Sequence, residues 1–113
     1  MDEQIEKWLH DIKSAIEEIE DYFTVNEKTF QSFRNNTILK RAIERDLEII
    51  GEAVNRILNK EPAIQISNAR KIVGARNHII HSYDNVSEEN IWAIVINHLP
   101  LLKTDVEGLL NNL

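Results

Sequence analysis

Apolar residues recur every three or four positions along most of the chain. Ile5, Trp8, Leu9, Ile12, Ile16, Ile19 and Phe23 form one such stripe and predict a helix over about residues 3–23. Residues 24–34 break the rhythm and read as a connector, with Phe30 and Phe33 as core plugs on a short helical turn. The stripe resumes with Leu39, Ala42, Ile43, Ile49, Ile50, Ala53, Val54 and Ile57, a second helix over about residues 36–59. Glu61-Pro62 ends it, because the residue before proline resists the α region. Ser67-Asn68 offers a cap for a third helix over about residues 68–82, and Asp84-Asn85 breaks it. Ser87 starts a fourth over about residues 87–111, with Ile91, Val95, Leu99, Leu102, Val106, Leu109 and Leu110 on its apolar side. Pro100 falls inside this last stretch and should kink or split it near His98, since proline lacks the backbone donor. The expectation is an all-α, four-helix bundle, five-helix if the connector turn is counted, forming one domain over residues 1–113.

The third helix carries an anomaly. On a wheel turning about 100° per residue, with Arg76 at the origin, Ile72, Val73, Ile79 and Ile80 all fall within about 60° of it. Arg76 thus sits in the middle of an apolar stripe, where an unpaired guanidinium is very costly. It needs an acidic partner, a second subunit, or a cleft that takes an anion. Asp46 interrupts the stripe of the second helix and is one possible partner; Glu52 is another. Asn77 lies about 100° and His81 about 140° away, so on a straight helix Arg76 and His81 do not share a face. The surrounding stretch, RNHIIHSYDN (residues 76–85), gathers arginine, two histidines and tyrosine in a chain otherwise rich in isoleucine, leucine and carboxylate.

Composition narrows the classes. The 113 residues are 42% hydrophobic and 28% charged, which suits one ordinary globular domain. There is no cysteine, which removes disulfides, thiolate metal sites and cysteine nucleophiles together and suits a cytoplasmic location. The opening residues MDEQIEKWLHDIK are acidic and amphipathic, unlike a signal peptide. No apolar run approaches the roughly 20 residues that span a bilayer. The net charge of −6 weighs against nucleic-acid binding, but its distribution matters more. Residues 1–33 hold nine acids and three bases, residues 84–113 five acids and one base. Residues 34–83 hold nine bases and five acids, and end in the motif stretch. The basic middle is either a set of solvated helix faces or an anion-binding surface.

Arg76, four residues, His81, one residue and Tyr83 match the Rx4HxY motif of the HEPN superfamily. RAIERDLEIIGEAVNRI (residues 41–57) resembles the second-helix signature of its HepT-like branch. ARNHIIHSYDNVSEENIWAIVINHLPLL (residues 75–102) resembles that branch's motif helix and the helix after it. The resemblance covers nearly the whole chain and is weakest over residues 1–35. It implies a HEPN-like bundle that cleaves RNA without a metal or other cofactor, working as a homodimer whose two motifs face one cleft. It also implies a partner, an MntA-like minimal nucleotidyltransferase antitoxin that transfers AMP onto the motif tyrosine, here Tyr83.

The residue types suit that chemistry. Histidine is the side chain suited to moving protons near neutral pH, so His81 can act as acid or base. Arg76 is permanently charged and forks onto phosphate oxygens. Asn77 and Tyr83 are supporting groups, and AMP on Tyr83 would place bulk and negative charge where a phosphate must sit. His78 stands three residues before His81, but no Glu-x-x-His or His-Glu-x-x-His pattern accompanies the pair, so no metal site is expected. Gly74 is either a point of close helix approach at an interface or a tolerated helix glycine. Two other readings stand beside the ribonuclease. One is a non-catalytic helical dimer that binds a nucleotidyltransferase or a nucleotide. The other is a bundle with no site, in which Arg76 only pairs with Asp46 or Glu52.

Overall fold

A computed structural model describes residues 2–81 and 87–112. Its elements are α1 (Glu3–Val25), α2 (Phe30–Asn35), α3 (Thr37–Lys60), α4 (Ala69–His81), α5 (Glu88–Ala93), a π-helical turn (Ile94–His98) and α6 (Leu99–Asn111). No strand occurs among the described residues. The all-α bundle is therefore present, with the connector turn forming a helix of its own.

Side-chain caps set most of the starts. Asp2 accepts from the backbone of Gln4 and Ile5, Asn36 from Leu39, and Ser87 from Asn90. Each removes a donor that the first helical turn leaves unpaired. The cap expected at Ser67-Asn68 takes a different form. Asn68 adopts a left-handed φ of 59° and its carbonyl accepts from Ile72, so α4 starts at Ala69. Asparagine tolerates that region better than most residues. The backbone N–H of Ser67 instead donates to Asp105 at 2.8 Å, tying the entry of α4 to α6.

The disruption expected at Pro100 is a π turn. The N–H of Leu99 reaches back five residues to the carbonyl of Ile94. Widening the turn just ahead of proline lets the chain continue as one long, interrupted helix.

Helix α3 is central. It packs on α1 along one side and on α4 along the other, while α1 also packs on α6. Leu9, Ile12 and Ile16 of α1 meet Ile43, Leu47, Ile50 and Ile57 of α3 in the core, all within 2% of full burial. Phe33 of α2 is wholly buried, its ring 5.5 Å from that of Trp92 on α5. The connector is thus a plug that closes one end of the bundle. One apolar position departs from its wheel. Ile80, beside Arg76 on the stripe, is 41% exposed, so that side of the last turn of α4 is open among the described residues.

Candidate functional site

Helix α4 lies close on α3 because residue 51 has no side chain. A Cβ placed on Gly51 would stand 2.3 Å from Cβ of Arg76 and 2.9 Å from its Cγ. The stem of Arg76 therefore crosses α3 directly over Gly51, and the guanidinium comes down beside Glu52. This answers how an arginine fits an apolar stripe. Nη2 pairs with the Glu52 carboxylate, and Nη1 donates to Oδ1 of Asn77 at 2.7 Å. Glu52 also accepts from Nε of Arg56 at 2.9 Å, so one carboxylate holds two arginines. The Arg76 side chain remains 22% exposed, and its Nε is buried with no partner. The guanidinium is held but not saturated.

Of the two candidate partners, Glu52 is the one that reaches Arg76. Asp46 points toward α1, where it accepts from the Tyr22 hydroxyl at 2.8 Å; the same hydroxyl lies 2.5 Å from Glu18. Burial, followed by the nearby Glu18 charge, pushes the Asp46 carboxyl up to about 6, although the Tyr22 bond opposes the rise. Burial and the two carboxylates push the Tyr22 phenol well above its ordinary range. Asp46 is thus part of a packed polar knot between α1 and α3, remote in role from the motif.

Arg76 opens into a cleft of about 290 Å³ between α1, α3 and α4. Trp8, Ile49 and Ile80 supply apolar walls. Around them stand three arginines (Arg45, Arg56, Arg76) and three acids (Asp11, Glu48, Glu52). His81 is elsewhere. It is the last residue of α4, exposed, and shares a shallow depression with Gly74, Asn77 and His78. Within one protomer the structure therefore keeps Arg76 and His81 on different sides of α4, as the wheel requires. Asn77 joins the two sides: it accepts from Arg76 and lines the depression that holds His81. Tyr83 lies outside the described residues. Among the described residues nothing lies within 4 Å of where a Cβ on Gly74 would stand, so no described helix packs directly on it. His10 is exposed and His98 half-buried. No helix among the described residues is long and apolar enough to cross a membrane.

The sequence reading did not single out Gly51. Its signal was available: an isolated glycine inside a strong helical pattern, next to one of the two acids considered for Arg76, marks close backbone approach.

The chain resembles a protein of Methanocaldococcus jannaschii named "Putative RNase", 30% identical over 96% of this chain and 89% of that one. A second protein with that name, from Caldanaerobacter subterraneus subsp. tengcongensis, is 37% identical over 73% of this chain and 74% of its own. A third, named "Probable ribonuclease HepT", from Thermococcus cleftensis, is 34% identical over 90% and 92% respectively. No solved structure matches the chain. The family model described as ribonuclease HepT-like matches residues 12–109, which takes in α3, the Arg76–His81 helix and nearly all of α6, and the chain belongs to that family.

Proposed function

We propose that this chain is a metal-independent endoribonuclease that acts as the toxin of a toxin–antitoxin pair. The observation that carries this reading is Arg76. It is a half-buried guanidinium, fixed by Glu52 and Asn77 yet left with an unpartnered Nε, one and a half helical turns ahead of an exposed histidine. A residue held this way is set to meet an anion at little further ordering cost.

In this mechanism the RNA 2′-oxygen attacks the adjacent phosphorus. His81 takes the 2′-hydroxyl proton. The O2′–P bond forms, the P–O5′ bond breaks, and the departing 5′-oxygen is protonated by an imidazolium. Arg76 stabilises the charge that builds on the phosphorane oxygens. Base and acid are two His81 side chains, one from each copy of a homodimer. A second copy laid against the uncovered end of α4, at Ile80, would bring the Arg76 of one chain toward the His81 of the other. Tyr83 is the residue on which a nucleotidyltransferase antitoxin would place AMP, blocking the phosphate's seat by bulk and charge.

The test is cleavage of total RNA with EDTA present, by wild type, Arg76→Ala and His81→Ala. Loss of cleavage in both folded variants, with chelator harmless to wild type, is the expected result. The Arg76–Glu52 pair favours one rival, a bundle in which that arginine is purely structural. It requires that Arg76→Ala destabilise the fold, while His81→Ala leaves every activity unchanged. An unmodified wild type that binds a nucleotidyltransferase but never cleaves RNA would instead establish a non-catalytic binding module.

A further inference from the structure

A second hollow lies on the other side of α4, between that helix and the α5–π segment, with a volume of about 440 Å³. That is within the roughly 300–1,000 Å³ of small-molecule sites. Its charge sets it apart. In a chain of net charge −6, no carboxylate stands among the described residues that line it, whereas the Arg76 cleft has three. Lys71 and His78 come from α4, Ser87 and Asn90 from the start of α5, Ile94 and His98 from the π turn.

His98 is the telling residue. His98 lines the hollow from the π turn, and its Nδ1 is buried with no hydrogen-bond partner. A buried, unpaired ring nitrogen calls for an explanation. Burial, then the Lys71 charge, hold the imidazole below its ordinary range. It is therefore neutral at pH 7 and offers one donor and one acceptor. The hollow is also continuous with the motif surface: Gly74 and His78 line both it and the depression that contains His81.

We propose that this hollow holds one nucleotide of a single-stranded RNA threaded past His81, with its phosphate on Lys71 and its base against Ile94 and His98. An unstacked base needs a flat apolar or aromatic surface and a polar group at its edge, and Ile94 with the neutral His98 supplies both. Lys71 supplies the cation that the backbone requires. The proposal rests on the ribonuclease reading for its choice of ligand. It adds a site that sets which base lies beside the cut.

The experiment is an NMR titration of the full-length protein with 2′-O-methyl oligonucleotides, which bind but do not supply the nucleophile. Expected shifts fall on Lys71, His78, Asn90 and His98. Lys71→Gln should weaken binding about three- to tenfold and reduce the salt slope by about 1. His98→Ala should flatten discrimination among oligonucleotides differing in one base, by about tenfold. His98→Asn keeps a polar atom near the Nδ1 position and should restore part of it, which a merely structural histidine would not require. Binding with no shifts in the hollow, or unchanged affinity and base discrimination in folded Lys71→Gln and His98→Ala, overturns the proposal. Cleavage of ordinary RNA by the same preparation is scored separately. If cleavage depends on His81 while the hollow stays silent, only the nucleotide site falls. If the hollow binds but nothing is cleaved, only the ribonuclease reading falls.

Discussion

Replacing Gly51 by alanine should damage the motif from the neighbouring helix. The added methyl would stand 2.3 Å from Cβ of Arg76, 2.9 Å from Cγ and 3.2 Å from the carbonyl of Ile72, where ordinary contact begins at 3.4 Å. The nearest atom is fixed to the α4 backbone, so no rotamer change relieves the clash. Helix α4 must move outward by about 1 Å. Overpacking of this kind costs about 1–3 kcal/mol, and the better helix propensity of alanine returns about 1 kcal/mol. The net loss is at most about 2 kcal/mol, a fall in Tm of up to roughly 8 °C for a domain this size. Cleavage should suffer more than stability, because a reacting group misplaced by about 1 Å can lose on the order of 100-fold. Gly108→Ala is the internal control. Gly108 lies in α6 with nothing within 4 Å, so alanine there should raise stability by up to about 1 kcal/mol and leave cleavage alone. Thermal melts and cleavage of one labelled RNA measure both. A Gly51→Ala protein as stable as Gly108→Ala and as active as wild type would refute the close-approach argument.

Glu52→Gln removes the counter-charge of Arg76 and Arg56 but keeps a similar shape. It should lower KM, since a phosphate meets less competition, and lower kcat by about tenfold, since the guanidinium loses its strongest anchor; a raised KM would contradict this. Asp46→Asn should stabilise the protein at pH 7. The folded carboxyl titrates at about 6 against an ordinary 3.8, so the native state holds its proton more tightly. Stability therefore falls as pH rises from about 4 to about 6 and stays lowered above. Asparagine should flatten that segment and add about 1 kcal/mol at pH 7, less than the full shift implies because Glu18 beside it is open to solvent. Urea melts at pH 4.5 and 7 decide it, and an equal effect at both pH values would remove the Asp46 explanation. Phe33→Ala, at a wholly buried site against Trp92, should cost about 3–5 kcal/mol by urea denaturation. A loss under 1 kcal/mol would mean that α2 is an ornament and not a plug.

Most of the fold was legible because the stripes are strong and the punctuation is local. Glu61-Pro62 ends α3 where expected, and Pro100 disturbs the last helix at His98. The form of that disturbance was not legible, because a kink, a break and a π turn all answer the same missing donor. Glu52 was among the partners considered for Arg76, and the one local sign that ranks it above Asp46 is the glycine beside it, Gly51. The choice is made by Tyr22, twenty-four positions away, which takes Asp46 for itself. The wheel placed Arg76 and His81 apart, and they are apart. The hollow around His98 was invisible, because it is made by α4 and α5 meeting across a gap in sequence. A histidine on a helix looks the same whether its ring nitrogen is solvated or stranded.

The bridge from Glu52 to Arg76 and Arg56 has a further consequence for how RNA binding should respond to salt. A lysine or arginine bathed in solvent gives up mobile ions when a phosphate arrives, and each such contact steepens the fall of affinity with salt. Arg76 carries a counter-ion fastened to its own chain. A phosphate that meets the guanidinium shares it with a tethered carboxylate, whose concentration near Arg76 does not follow that of the buffer. Arg76 should therefore add little to the salt slope of RNA binding, while Lys71, exposed and free of such a tether among the described residues, adds its full share.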